Sequence, residues 1–381
     1  MIYFDNSATT KPYPETIALM ARLMEESYAN SSSMHGLGLA AEKILESSRK
    51  ELASLIKGLP EELVFTSGGT ESINTALRGS AEITKRSGRH ILSSPVEHPA
   101  SLESLNLLAS QGWEVEWLTV DSTGRINLSD LESRLRKDTV LVNLMHVNNE
   151  FGTIEPIVEA GERIKRYNPA IAYHVDAVQS FGKIPISVKS LKADFISVSA
   201  HKIHGPKGVG LLYARKGTRF APLLLGGGHE RNQRSGTVNV PGIAAFSLSA
   251  SIKHERRVQD EEQMKKVRLA LLDELEKKLP GQYRVNSPQD GTPGILNVSF
   301  KGIKAEILLH SLEAQAIYVS SGSACHSRHD GISHVIKAAG VPKEWEQGAI
   351  RFSFSGDNTI EEASACGNAV AVVLDKIRIR R

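Results

Sequence analysis

A lysine at the end of an apolar strand is the first residue whose position suggests chemistry. In SVSAHKIHGPKGVG (197–210) a strand ends, and Lys202 follows in a turn before a segment rich in glycine and proline. In an open α/β sheet this position faces the crevice where ligands bind. A lysine partly shielded from water can act as a nucleophile that forms a Schiff base. The alternative interpretation is a solvated lysine in a surface turn, which describes most lysines.

A second strand end carries an aspartate. HVDAVQS (174–180) places Asp176 where carboxylates are seldom left without a partner. A protonated pyridine nitrogen is one candidate, because pyridoxal 5′-phosphate (PLP) withdraws electrons only while that nitrogen keeps its proton. Gln179 could then hydrogen-bond the phenolic oxygen of the same ring. The alternative, an aspartate that caps a helix, is favoured by the spacing alone.

Two further strand ends could hold other parts of such a cofactor. In TSGGTES (66–72) the glycines and Thr70 open a helix, whose free N–H groups and positive dipole end suit a phosphate. The lysine spacing of a P-loop is absent there. His98, in VEHPA, could stack on a planar ring, although a histidine at a helix start is more often a cap or a surface residue.

Of the two cysteines, Cys325 is the candidate nucleophile. It lies in VSSGSACHSRHDG (319–331), which is too polar to bury it, and His326 and Arg328 would favour its thiolate. We therefore expect a thiol more acidic than a free cysteine. Cys366 lies in an apolar helix and fits a buried side chain.

An arginine and an asparagine could bind a substrate. Arg351 lies on the predicted strand AIRFSFS (349–355), where a guanidinium needs an anion. A substrate carboxylate and a structural salt bridge are both open as its partner. Asn149 follows the strand that ends in MHVNNEFG and should face the same crevice.

The pattern of the whole chain indicates how these residues are positioned. Alternating strands and helices predict an α/β domain with a mostly parallel, doubly wound sheet over 13–257. The remaining residues, 1–12 and 258–381, predict a smaller α+β domain that carries the cysteine loop at about 319–332. Within it, AIYVSSG (316–322) is expected to form one strand.

Composition narrows the functional classes. The 381 residues carry 46 basic and 43 acidic side chains, a net charge of +3 that argues against a nucleic-acid-coating or polybasic membrane protein. Two cysteines are too few for a disulfide framework or a cysteine-built metal site. Neither a signal peptide nor an apolar run of ~18 residues is visible, so we expect a cytoplasmic protein.

In its ordered motifs the chain resembles the cysteine desulfurases, class V enzymes of PLP-dependent fold type I. The similar segments are DNSATT, FTSGGTES, EHPA, MHVNNEFG, HVDAVQS, SAHKIHGPKG, GGGHERNQRSGT, ILNVSF, SSGSAC and IRFSFS. The SSGSAC segment is similar to that of the iron–sulfur and nitrogen-fixation group. The resemblance implies the PLP-dependent transferase fold, with the large and small domains described above.

The resemblance also implies roles for individual residues. Lys202 would bind the cofactor covalently, and Cys325 and His98 would be the other catalytic residues. The cofactor-binding set would be Gly69, Thr70, His98, Asn149, Asp176, Gln179, Ser199, His201, Lys202 and, reaching into the neighbouring subunit's site, Thr237. Asn149 and Arg351 would bind the substrate, and no metal is expected.

The activity implied is removal of sulfur from L-cysteine, which gives L-alanine and a persulfide on Cys325. A homodimer would then pass this sulfur to a protein acceptor for tRNA thiolation, thiamine or iron–sulfur cluster biosynthesis, with no membrane or direct nucleic-acid contact. Because the sequence stops at Arg381, soon after its last helix, we expect a dedicated acceptor such as a tRNA-thiolation enzyme. The alternatives are a selenocysteine lyase, an aminotransferase of the same class, or a catalytically idle partner subunit.

Overall fold

Residues 1–322 and 332–379 are described by the computed structural model of the chain. The strands are β1 (Ile2–Tyr3), β2 (Leu63–Thr66), β3 (His90–Ser93), β4 (Glu114–Trp117), β5 (Thr139–Met145), β6 (Ala172–Asp176), β7 (Phe195–Ser199), β8 (Gly210–Ala214), β9 (Tyr283–Val285), β10 (Ile295–Phe300), β11 (Ile317–Tyr318), β12 (Ser320–Ser321) and β13 (Ala349–Ser353). The helices are α1 (Pro14–Glu26), α2 (Gly36–Leu55), α3 (Gly69–Thr84), α4 (Pro99–Ser110), α5 (Leu128–Arg134), α6 (Ile157–Tyr167), α7 (Val188–Leu191), α8 (Val240–Lys278), α9 (Ala305–Glu313), α10 (His334–Ala338), α11 (Lys343–Glu346) and α12 (Ile360–Ile379). Short 3-10 turns occupy Pro60–Glu62, Ala200–Lys202 and Glu230–Asn232.

The large sheet has seven strands in the order β2-β8-β7-β6-β5-β3-β4. Strands β4, β3, β5, β6 and β7 run parallel, and β8 is antiparallel to both of its neighbours. All seven residues of β5 are buried, as expected for a strand covered by helices on both faces. The predicted mostly parallel α/β sheet is therefore confirmed.

The order of the strands sets where a ligand can bind. From β3 the chain steps outward to β4 and then returns to β5 on the other side of β3. Such a reversal opens a crevice at the carboxyl ends of the strands. Strands β2, β3, β5, β6 and β7 all end at this edge, so the segments that follow them face one another.

A second, antiparallel sheet has the order β12-β13-β10-β9, and β1 pairs with β11 in a separate two-stranded sheet. The segment 316–322, expected as one strand, is divided between these sheets. Tyr318 pairs with Tyr3, whereas Ser320 pairs with Arg351. The chain changes partner at Val319, and a continuous strand could not satisfy both sheets.

Helix α8 contributes to two hydrophobic cores. Its first half, including Phe246, packs into the core around the large sheet. Its second half, including Leu271, packs with β10, β13 and α12. Phe4 belongs to that second core, so the N-terminal strand lies with the C-terminal part of the chain.

Candidate active site

A cavity of about 290 Å³ lies at the carboxyl edge of the large sheet. Ten of the predicted site residues line it: Gly69, Thr70, His98, Asn149, Asp176, Gln179, Ser199, His201, Lys202 and Arg351. They come from both sheets and from five strand ends. Residues up to 282 positions apart in the sequence, from Gly69 to Arg351, thus line one cavity.

Lys202 lies in the 3-10 turn after β7 and extends into this cavity. Its Nζ donates to the carbonyl oxygens of Ser7, at 2.5 Å, and Ala8, at 2.7 Å. The backbone carbonyl of His201 in turn accepts hydrogen bonds from the N–H and hydroxyl of Thr10. The N-terminal segment therefore holds the amine-bearing turn in place.

Asp176 is the last residue of β6, and it is buried and lines the cavity. Burial raises the pKa of its carboxyl to about 6, although the hydrogen bond from the Val178 N–H and the positive charge of Lys202 both oppose the shift. The Val178 bond is 2.9 Å long. A buried carboxylate in this position gains most from a cationic partner in the cavity.

Gln179 is also buried, and both ends of its amide are bonded. Nε2 donates to the carbonyl oxygen of Ser7 at 2.9 Å, and Oε1 accepts from Nζ of Lys183 at 3.2 Å. Burial, with the nearby charges of Lys253, Lys202 and Arg351, lowers the pKa of Lys183 to about 7. Sequence reasoning missed Lys183, which lies four residues after Gln179 and donates a hydrogen bond to it.

The start of α3 forms another wall of the cavity. Gly68 caps this helix without a side-chain hydrogen bond, so within the described parts of the chain the first-turn N–H groups are left for a ligand. A Cβ on Gly69 would lie 2.7 Å from Cγ2 of Val178, so this position needs glycine for the close approach. The predicted phosphate seat therefore has the open helix end that an anion requires.

Two histidines occupy defined positions at the cavity. His98 caps α4, and its Nδ1 accepts from the N–H of Ala100 at 3.1 Å. That bond assigns a neutral ring's proton to Nε2. Burial, followed by the charges of Lys202, Lys207 and Lys183, lowers the pKa of His201 to about 4.

Arg351 makes a structural salt bridge and also lines the cavity. Nη2 pairs with Oδ1 of Asp5 at 2.9 Å, and Nη1 donates to the carbonyl oxygen of Asn149 at 2.9 Å. The guanidinium also lines the cavity. Its buried Nε has no hydrogen-bond partner among the described residues, which leaves a donor on this arginine.

Glu150 is a buried cavity residue that sequence reasoning did not select. Burial raises the pKa of its carboxyl to about 7, against the hydrogen bond from Ser333 and the charge of Arg351. The Ser333 hydroxyl donates to Oε2 of Glu150 at 2.6 Å. Gly322 lies so close to the same oxygen that a Cβ at this position would collide with it. The only available signal was its place in MHVNNEFG, directly after Asn149.

His334 was missed as well. It lines the cavity from the start of α10, and its Nε2 donates to the carbonyl oxygen of Glu97 at 2.9 Å. Its sequence surroundings match none of the motifs that marked the other residues. Ser7 and Ala8 lay within DNSATT, but that motif suggested no role for their carbonyl groups.

Two predicted residues are not brought to this cavity. Thr237 is exposed and lines a separate cavity of about 110 Å³ with Ser67 and Arg234. Its predicted contact is with the site of a neighbouring subunit. Cys325, with most of its predicted loop, lies outside the described residues.

The arrangement fits PLP. A lysine amine, a buried carboxyl, an open helix end and a histidine ring can serve the aldehyde, the pyridine nitrogen, the phosphate and the ring face, respectively. Among the described residues, no group of three or more His, Cys, Asp or Glu side chains could hold a metal ion. In the same parts of the chain, no helix is long and apolar enough to cross a membrane.

Comparison with known proteins gives the same assignment. Residues 2–365 match the family described as "Aminotransferase class-V". The chain is 39% identical over 378 residues to "Cysteine desulfurase IscS" of Dictyoglomus turgidum, with 99% of this chain and 95% of that protein covered. Both sheets that border the cavity lie within these matches.

Solved structures extend the likeness to three dimensions. A structure named "NIFS-LIKE PROTEIN" superposes with a TM-score of 0.93 at 38% identity and covers 98% of this chain and 99% of its own. "SspA in complex with cysteine" superposes with a TM-score of 0.83 at 29% identity and covers 93% of this chain and 99% of its own.

Proposed function

The chain belongs to the class V aminotransferase family, and on that premise we propose that it is a PLP-dependent cysteine desulfurase. The observation that carries this proposal is the convergence of Lys202, Asp176 and the open end of α3 on one cavity, with Arg351 in its wall. Full-length relatives named as cysteine desulfurases support it. The aminotransferase and selenocysteine lyase alternatives have no comparable support.

Each group of the cofactor has a partner among the residues of the cavity. Asp176 would pair with the pyridine nitrogen, and Gln179 would donate to the phenolic oxygen. His98 would stack on the ring. The phosphate would be held by Gly69, Thr70, Ser199, His201 and, from the neighbouring subunit, Thr237.

When bound, PLP supplies the electron sink that allows the Cβ–Sγ bond of a linked cysteine to break. The chain's own residues bind and position the reactants. Arg351 and Asn149 would hold the substrate carboxylate, since Arg351 keeps a buried donor that has no partner among the described residues. The Lys202 amine would bind the cofactor aldehyde and later take the α-proton at Nζ.

Cys325 would accept the sulfur. Its thiolate would attack Sγ of the substrate cysteine, so that an S–S bond forms as the Cβ–Sγ bond breaks, and the substrate carbon would keep the electron pair of the broken bond. The carbon product takes up a proton and leaves as L-alanine. Two equivalents of an external thiol then release the sulfur as sulfide and become a disulfide, so the cycle balances.

The finer partners are also part of this proposal. A homodimer would complete each site through Thr237, and the acceptor would be a tRNA-thiolation enzyme or an iron–sulfur scaffold. The division into a large domain at 13–257 and a small domain at 1–12 with 258–381 is supported by the two cores that share α8. The binding of cysteine by a structural relative supports the substrate.

The direct test is product analysis with L-cysteine and a thiol reductant. We expect equal amounts of alanine and sulfide, loss of the visible PLP absorbance in Lys202→Ala, and loss of sulfur release with retained absorbance in Cys325→Ala. Cys366→Ala is the matched control, because this thiol is buried in the second core and should leave turnover in place. Formation of an α-keto acid in place of alanine would establish an aminotransferase instead.

A further inference from the structure

Lys183 lies beside the cavity, and its amine has an unusual set of neighbours. Among the described residues no carboxylate comes within salt-bridge distance of it, although Lys253, one of its neighbours, pairs with Asp260. The charges that face Lys183 are positive and come from three elements: Lys253 on α8, Lys202 after β7 and Arg351 on β13. An ion pair therefore does not explain why a lysine occupies this position.

The bond that Lys183 does make is to a neutral amide. Its Nζ donates to Oε1 of Gln179 at 3.2 Å, across one turn of chain after β6. At the other end of the amide, Nε2 donates to the Ser7 carbonyl at 2.9 Å. That carbonyl also accepts a hydrogen bond from Nζ of Lys202. Two lysine amines are thus joined through Gln179 and one backbone oxygen.

These partners permit a single orientation of the amide. While it is protonated, the Lys183 amine can donate but cannot accept, and a carbonyl oxygen can accept but cannot donate. Rotation of the amide by half a turn would place Nε2 against Lys183 and Oε1 against Ser7, and both hydrogen bonds would be lost. Gln179 and Ser7 both line the cavity, and the N–H end of the amide shares the Ser7 carbonyl with Nζ of Lys202. The N–H end is therefore the end next to the cavity lysine, and Lys183 holds the oxygen end.

We propose that Lys183 is a positioning residue of the desulfurase: it fixes the Gln179 amide so that an N–H, rather than an oxygen, faces the phenolic oxygen of bound PLP. This inference rests on the proposed function in so far as the cavity takes PLP. A donor at that oxygen stabilises its anionic form and lowers its affinity for a proton. Without Lys183 the amide can turn over and present an acceptor to the same oxygen.

The consequence can be measured on the bound cofactor without turnover. In substrate-free holoenzyme, the pH midpoint of the visible PLP absorbance reports proton binding next to the phenolic oxygen. We expect Lys183→Met to raise this midpoint by about one pH unit, which is a tenfold increase in proton affinity. The reason is that the anionic phenolic oxygen loses the hydrogen bond from the Gln179 amide. Lys189→Met, which removes an exposed lysine from α7, is the matched control and should leave the midpoint unchanged.

A double-mutant cycle separates positioning from a direct effect of charge. If Lys183 acts through the amide, Gln179→Leu raises the midpoint and Lys183→Met adds little to it in the double variant. Full additivity of the two shifts, or an unshifted midpoint in Lys183→Met, overturns the inference. If Lys183→Met does not fold, Lys183→Gln keeps a donor without the charge, and it should retain a midpoint close to that of the wild type; a raised midpoint overturns the proposal.

Failure of the proposed function gives a different result. A wild-type protein that takes up no PLP, or that yields no alanine from cysteine, refutes the assignment of the cavity before any variant is compared. A wild-type holoenzyme with normal turnover and no response to Lys183→Met refutes the role of Lys183 alone.

Discussion

Replacing Asp176 by asparagine should stabilise the PLP-free protein while weakening its hold on PLP. Asp176 is 4% exposed, and burial raises the pKa of its carboxyl from an ordinary value of 3.8 to about 6. The hydrogen bond from Val178 survives the change, because the asparagine side-chain oxygen can accept it. The variant therefore removes the charge and keeps this hydrogen bond.

The size and sign of the effect follow from the two pKa values. An acid whose pKa is higher in the folded chain than in the unfolded chain destabilises the fold most at pH values where it is ionised in both states. Its contribution thus becomes unfavourable as the pH rises from 3.8 through 6. A shift from 3.8 to about 6 corresponds to about 3 kcal/mol above pH 7 and about half of that at pH 5.

Thermal unfolding of the PLP-free protein measures this difference. For a chain of 381 residues that unfolds in one transition, 3 kcal/mol corresponds to a Tm about 4 °C higher in Asp176→Asn at pH 8, with a smaller gain at pH 5. With PLP bound the order should reverse, because wild-type Asp176 gains a cationic partner that asparagine cannot pair with. The PLP dissociation constant should rise accordingly.

A second aspartate supplies the control. At Asp121, hydrogen bonds from Thr123 and Arg125 outweigh burial and lower the pKa of the carboxyl. Asp121→Asn should therefore lower the Tm by similar amounts at pH 5 and pH 8. Equal or lower stability of PLP-free Asp176→Asn at pH 8, or a gain that does not change between the two pH values, would refute the reasoning.

Two further variants test a close contact at the site and a buried ion pair within α8. Gly69→Ala should weaken PLP binding by about 1–3 kcal/mol, measured by PLP titration, because the new methyl group would lie 2.7 Å from Val178; the double variant with Val178→Ala should recover much of the loss. Lys253→Met should lower the free energy of unfolding in urea by about 3 kcal/mol, because it leaves buried Asp260 without its main partner. Lys265→Met, on the exposed face of the same helix, should change it by less than about 1 kcal/mol, and equal losses in the two lysine variants would contradict the argument.

Much of the fold was predictable from the sequence because the large sheet is buried on both faces. Its strands are short apolar runs with little polar alternation, such as LVFT in β2 and TVLVNLM in β5. The segment 316–322 was predicted wrongly for a physical reason. Its pattern suits an extended chain, but the change of pairing partner at Val319 depends on β1 and β13, which are distant in sequence.

The site was predictable where one strand end carries one chemically distinctive residue. Lys202, Asp176 and His98 each follow an apolar run, and the rule that parallel strands end at one edge brings them together. Sequence reasoning did not select Glu150, which directly follows Asn149, or Lys183, which lies four residues after Gln179. Burial gives them their significance, and burial of a charged residue in a loop has no local signal.

The same directions of shift recur among the buried ionisable groups around the cavity. Burial raises the pKa of Asp176 and Glu150 and lowers that of Lys183, so each group is displaced towards its neutral form. The displacements at Asp176 and Lys183 should reverse when opposite charges enter. A cofactor with a cationic ring nitrogen and an anionic phenolic oxygen, together with a substrate carboxylate, supplies such charges opposite Asp176, beside Gln179 and Lys183, and at Arg351. Binding of PLP and cysteine should then be coupled through shared charges, so that neutralising Asp176 weakens the affinity for both ligands rather than for PLP alone.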